Sequence, residues 1–256
     1  RASSMALGWL LTGLAAAVEH RLAGEALRGL ADAACEQLLS RQATGGLFPL
    51  GSGAFRKNIF QWRINARLGS FASQVYPAVG LACYSRAAGD DQALAAARRT
   101  AEALCALQGP QGQWWWIYDV ATARPVVKYP VYSVHQDAMG PMALLSVALA
   151  SGLSDQIPPA VFRSVAWLSG QEELPHVELI DAELGVVWRA IQRDPPQRTG
   201  EFGLGRREWL RMNLAAWTGR PDNRPFATGY VCDECRPYHL GWILAADAMA
   251  ATLKTN

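Results

Sequence analysis

Leu14-Ala-Ala-Ala-Val-Glu-His-Arg-Leu-Ala-Gly24, Gly80-Leu-Ala-Cys-Tyr-Ser-Arg-Ala-Ala-Gly89 and Leu144-Leu-Ser-Val-Ala-Leu-Ala-Ser-Gly152 lie over one another as copies of one pattern. Each reads as a small-residue-rich helix that stops at Gly, the residue that takes a left-handed terminal conformation most easily. Each is followed by a stretch with apolar residues at helical spacing, over 25–41, 91–107 and 155–169. Those second helices end on similar punctuation: Gln42-Ala-Thr-Gly-Gly-Leu-Phe48, Gln108-Gly-Pro-Gln-Gly-Gln-Trp114 and Gly170-Gln-Glu-Glu-Leu174. The chain is therefore read as an internal repeat of helical hairpins, and such a repeat decides the fold ahead of any other cue.

The starts of the first helices repeat as well, in Ser73-Gln-Val-Tyr-Pro77, Gln136-Asp-Ala-Met-Gly-Pro141 and Asp233-Glu-Cys-Arg-Pro237. Proline is tolerated in a first turn, where its missing N–H has no intrahelical acceptor, and a preceding polar residue can cap. Pro77, Pro141 and Pro237 are thus expected in first turns of helices lining one interior, with Ser73, Asp137 and Asp233 at equivalent mouths. Further helices are expected over 181–193 and 205–217, then a last one from Pro237 to about residue 253. Between Trp114 and Val134 the period shifts to alternation around Val120-Ala-Thr-Ala-Arg124, a short β-hairpin. The stretch 48–71 is a long loop carrying Arg56, Lys57, Trp62, Arg63 and Arg67. The expected architecture is all-α: one α/α toroid over residues 1–256, open to being part of a longer chain, with a β-hairpin excursion.

The segment Ala103-Leu-Cys-Ala-Leu-Gln-Gly-Pro-Gln-Gly-Gln-Trp114 resembles the glutamine-tryptophan repeat of terpenoid cyclases and protein prenyltransferases, in which Gln and Trp tie an outer helix end to the next turn. Gln42 to Phe48 is a weaker copy. The same toroid is shared by six-hairpin glycosidases, polysaccharide lyases and uronyl epimerases, so the resemblance implies architecture more than chemistry. The Asp-x-Asp-Asp motif of alkene-protonating cyclases does not occur, since Asp90-Asp91 falls at a helix–helix turn. Arg236-Pro-Tyr-His-Leu-Gly-Trp242 has a faint similarity to the His-bearing inner helix of zinc prenyltransferases.

Composition narrows the partners. Half of the 256 residues are apolar and the formal charge is +2, with charges scattered singly, so no basic stripe suits nucleic acid. The uncharged stretch 5–18 falls short of the ~20 residues that span a bilayer, and no transmembrane segment is expected. Five cysteines make an odd set, and Cys35, Cys83 and Cys105 fall on faces read as buried. A reducing, cytoplasmic setting is favoured, with a periplasmic or secreted one as the alternative.

The densest cluster of reactive side chains is Tyr132, His135, Gln136 and Asp137, beside Tyr118-Asp119 at the end of the run Trp114 to Trp116. Histidine works as acid or base near neutrality, and an adjacent carboxylate orients it or shares the work. The candidate catalytic set is Asp137, His135, Asp119, Asp233 and Glu234; the alternative for Asp137 is a plain helix cap. Trp62, Arg63, Trp115, Tyr118, Tyr132, Gln136, Tyr76 and His239 are candidate substrate contacts. Trp9, Trp167, Trp188, Trp209, Trp217 and Trp242 lie on helical patterns and are assigned to the core or the toroid wall. Cys232, Cys235 and His239 have zinc-like spacing, but no second cysteine pair exists. The expectation is therefore no cofactor, with zinc there as the alternative.

These residues favour a carbohydrate-active enzyme on an oligo- or polysaccharide: a glycoside hydrolase with two carboxyl groups about 5 to 10 Å apart, or a lyase or epimerase leaning on Tyr132 and His135. Arg63 and Arg67 suit an acidic sugar. The alternatives are an isoprenoid cyclase or prenyl-transfer enzyme and a non-catalytic scaffold.

Overall fold

The structure is a computed structural model and describes residues 2–51, 67–170, 177–193, 210–211, 214–215, 217–219 and 229–255. Most of the stretch 48–71, with Arg56, Lys57, Trp62 and Arg63, and most of the expected helix 205–217 lie outside the described residues.

The hairpins form as the repeats predict. Helices α1 (Ser4–Glu19), α3 (Ala72–Ala88), α5 (Gly140–Ser151) and α7 (Pro237–Thr255) pack in sequence as an inner row. Helices α2 (Glu25–Leu39), α4 (Asp91–Leu107) and α6 (Ile157–Gly170) pack outside them. The two rows differ in burial for a visible reason. α4 buries Ala93, Ala96, Ala97, Thr100, Ala101 and Leu104, the single stripe of a one-faced helix. α5 buries every residue from Gly140 to Ala148, as an apolar helix packed on several sides must. Trp242 on α7 meets Trp9 on α1 with ring centroids 5.8 Å apart, so the inner row curves back on itself.

Polar clasps fasten the outer helices. Gln42, just past α2, donates through Nε2 to the carbonyls of Gly46 (3.1 Å) and Ala96 (2.8 Å), while its Oε1 accepts from Arg99 at 2.6 Å. Gln108, just past α4, repeats this with Gly112 (3.0 Å), Ala160 (2.8 Å) and Arg163 (2.8 Å). Each clasp turns on a glycine of positive φ, 81° at Gly46 and 96° at Gly112. A Cβ on Gly112 would lie 2.1 Å from the Arg163 carbonyl oxygen, so only glycine fits. The tie from tryptophan comes from Trp115, whose Nε1 donates to the Leu107 carbonyl at 3.0 Å, whereas Trp114 is fully buried against Phe71.

Several expectations are corrected. α1 ends at Glu19, and Arg21 rather than Gly24 takes positive φ (58°); Gly24 is the N-cap of α2. Pro77 lies inside α3, not in its first turn, where Gly8 lets α1 approach so closely that a Cβ there would be 2.5 Å from the Pro77 nitrogen. Pro141 and Pro237 do open α5 and α7. The expected helix over 181–193 is instead β4 (Ile180–Asp181), β5 (Val186–Val187) and β6 (Ala190–Arg193). Gly185, with φ 65°, turns β4 into β5, and β-branched Val186, Val187 and Ile191 suit strands. The hairpin is present as β2 (Trp115–Asp119) and β3 (Arg124–Pro130), joined antiparallel by β1 (Leu68–Ser70). β6 pairs with β7 (Gly229–Cys232).

Candidate functional site

Between β3 and α5 the chain makes a π-helical turn, Val134–Met139, an element that often accompanies functional sites. Its start is pinned by Ser133, whose hydroxyl donates to the carbonyls of Trp188 (2.6 Å) and Arg189 (2.9 Å). Gln136 holds its middle by accepting from the Trp114 amide at 3.0 Å, as Gln74 accepts from the Phe48 amide at 2.6 Å. Gln74 and Gln136 are therefore equivalent, which sets His135 against Ser73 and Asp137 against Val75. The proline alignment, with Ser73 against Asp137, is two residues out of step. Of these two repeats, only the one with His135 and Asp137 carries acidic and imidazole groups there.

Asp137 and His239 form the centre. Asp137 Oδ1 lies 2.5 Å from His239 Nε2, joining the π turn to the first turn of α7, and both side chains are buried. Burial pushes the Asp137 carboxyl up, and the hydrogen bond from His239 opposes that rise. Beside them His135 sits in an aromatic cage of Phe71, Trp116 and Tyr132, at centroid distances of 5.9, 5.8 and 6.0 Å. The ring is half-buried, while its Nδ1 is sealed and has no hydrogen-bond partner among the described residues. Desolvation, with the charges of His239 and Arg189 adding to it, lowers the His135 pKa to about 4. His135 is thus a neutral imidazole at neutral pH.

A charged rim borders this centre. Glu234 is held between Arg189 and Arg236, and Arg189 also lies 4.5 Å from the Tyr132 ring centroid. The hydrogen bond from Arg236, seconded by Arg189, keeps the Glu234 carboxyl below the usual range, so it is ionised. Glu234 and Tyr132 thus adjoin the centre through Arg189.

Other candidates go elsewhere. Asp119 accepts from Arg67 through both oxygens (2.8 and 2.7 Å), from Thr122 at 2.7 Å and from the Ala121 amide at 3.1 Å. Its hydrogen bonds knit β1 to the β2–β3 turn. Tyr118 is fully buried and its hydroxyl accepts from the Trp115 amide, and Trp115 is buried too. Gln136 is a buried support, and Asp233 is exposed. Arg67, read as a binder of acidic sugar, is committed to Asp119. Cys232, Cys235 and His239 are not brought together, because His239 turns into the core onto Asp137. Among the described residues no three His, Cys, Asp or Glu side chains converge as metal ligands. Sequence reasoning missed Arg189, which sits in the stretch misread as helix, and Arg236, which opens the segment quoted for its histidine but was given no role of its own.

Inner and outer rows of antiparallel hairpins, with polar groups gathered where inner helices begin, define an α/α toroid. Solved structures agree. A glycosyl hydrolase family 88 protein from Bacteroides vulgatus is similar over 98% of this chain and 62% of its own, at 13% identity and a TM-score of 0.57. A cellobiose 2-epimerase from Spirochaeta thermophila is similar over 99% and 60%, at 14% identity and 0.52. A D-mannose isomerase is similar over 99% and 71%, at 11% identity and 0.57. The chain thus spans 60% to 71% of the length of these proteins. At such identities the likeness is one of fold. No family model matches the chain, and no match to a curated protein is found. No helix among the described residues is long and apolar enough to cross a membrane.

Proposed function

We propose that this protein is a carbohydrate-active enzyme that moves a proton on its sugar substrate, with His239 and Asp137 as the working pair and His135 as a second, neutral base. The observation that carries this reading is the buried 2.5 Å contact between Asp137 and His239 beside an imidazole whose pKa is held near 4. A carboxylate on one ring nitrogen fixes the orientation of the histidine ring, which leaves the other nitrogen, Nδ1, to exchange a proton with a substrate. Arg189, Arg236 and Glu234 at the rim offer donors and an acceptor to sugar hydroxyls. The names of the cellobiose 2-epimerase and the D-mannose isomerase accord with proton transfer on a sugar.

Hydrolysis by two carboxyl groups has less support, because Asp119 is bound to Arg67 and Glu234 is clamped by two arginines. One observation favours it as a second reading: burial raises the Asp137 pKa, as for a general acid, and one neighbour of the fold is a glycosyl hydrolase. Incubation with mannose and with cellobiose in deuterated water, followed by proton NMR, separates the two. Proton transfer at carbon places deuterium beside the carbonyl carbon, whereas hydrolysis of cellobiose releases glucose without it. His239→Gln and Asp137→Asn should keep the melting temperature and lower turnover by about 10² to 10⁴. Full turnover in both variants would remove the assignment.

A further inference from the structure

The sequence pattern assigned Trp9 and Trp242 to the core or the toroid wall, and Trp9 is 51% exposed. Core indoles in this chain look different: Trp114 and Trp167 are 0% and 1% exposed. Trp9 on α1 lies 4.9 Å from the Tyr76 ring of α3 and 5.8 Å from the Trp242 ring of α7. Tyr76 and Trp242 close the triangle at 6.3 Å, and Tyr238, on the first turn of α7, is 49% exposed. Three inner helices therefore converge on one aromatic cluster that holds its geometry through mutual contacts and leaves an indole half uncovered.

The cluster is built on the elements that carry the Asp137–His239 pair. Trp242 follows His239 by three residues on α7, so the two share a helix face. Tyr76 donates its hydroxyl to Met139 Sδ at 3.6 Å, and Met139 closes the π turn that bears Asp137. Tyr238 lies two residues from Arg236 and helps to hold its guanidinium charged, which places the aromatic surface beside the charged rim.

We infer that Trp9, Tyr76, Tyr238 and Trp242 form a stacking subsite for a second sugar ring, next to the one held at Asp137 and His239. This rests on the carbohydrate reading above and deepens it to a substrate of at least two linked rings. An exposed indole offers a flat apolar surface to the C–H face of a pyranose, and the neighbouring arginine and tyrosine hydroxyls take its polar edge.

The test is calorimetric titration of the His239→Gln protein with cellobiose and with mannose as probes, so that binding is read with the chemistry switched off. Cellobiose should bind more tightly than mannose. Adding Trp9→Ala should weaken cellobiose about tenfold, the scale of one lost anchor contact, with little change for mannose, and Trp9→Phe should restore most of the affinity. Unchanged cellobiose affinity on Trp9→Ala, no preference for the disaccharide, or no cellobiose binding overturns the subsite. If His239→Gln abolishes turnover while Trp9→Ala leaves binding intact, the subsite falls and the functional reading stands. If Trp9→Ala weakens cellobiose while His239→Gln keeps full turnover, the aromatic surface stands as a sugar site and the working pair falls.

Discussion

His135 should make the protein acid-labile between the pKa of the unfolded imidazole and that of the folded one. Its pKa falls from the ordinary 6.5 to about 4 because the imidazole is desolvated and faces Arg189 and His239. The unfolded chain, with a pKa near 6.5, takes up the proton first as pH drops. Stability from this group is therefore complete above about pH 6.5 and is lost progressively down to about pH 4. At 1.36 kcal/mol per pKa unit the shift sets a ceiling of about 3 kcal/mol, of which about 2 kcal/mol is gone by pH 5. Asp119, whose lowered pKa has the same sign, loses its contribution only below 3.8 and stays silent in this window. The perturbation is His135→Phe, which keeps a ring among Phe71, Trp116 and Tyr132 but cannot titrate. Urea denaturation of both proteins at pH 7 and pH 5 should show the wild type losing about 2 kcal/mol more than the variant. Stability curves that run parallel across that interval would show that His135 is solvated and ordinary, and would remove the case for a neutral base at the centre.

Three further outcomes test the frame. Gly112→Ala combines a φ of 96° with a Cβ placed 2.1 Å from the Arg163 carbonyl, and it should cost about 2 to 4 kcal/mol in chemical denaturation. Gln108→Leu, which strips donors from the Gly112 and Ala160 carbonyls, should cost about 1 to 3 kcal/mol. Asp119→Ala should lower the melting temperature yet leave turnover intact, since its hydrogen bonds serve the β1–β2–β3 sheet.

How much of this is legible in the sequence depends on where the information lies. The outer helix Asp91–Leu107 is readable to the residue, because Asp90 caps it through the Ala93 amide at 2.8 Å and its buried positions recur at helical spacing. Inner helices lose that periodicity, since α5 is buried on every side, and the prolines that mark their starts are not equivalent. The strands over 180–193 escape notice because segments of two to four residues are too short to show alternation. Asp137, His135 and His239 each stand out in the sequence. Their pairing does not, because Asp137 and His239 are 102 positions apart and nothing local ties them. The ion pair that withdraws Asp119, across 52 positions, is hidden for the same reason.

The glutamine clasps run in one direction along the chain. Gln42 waits for Ala96, 54 residues downstream, and Gln108 for Ala160, 52 residues downstream. During synthesis a finished hairpin therefore leaves its last turn unlatched until the next outer helix has been translated. Each hairpin is locked by its successor rather than by itself, so amide protons at the Gly46 and Gly112 turns should gain protection from exchange only after the following hairpin has docked.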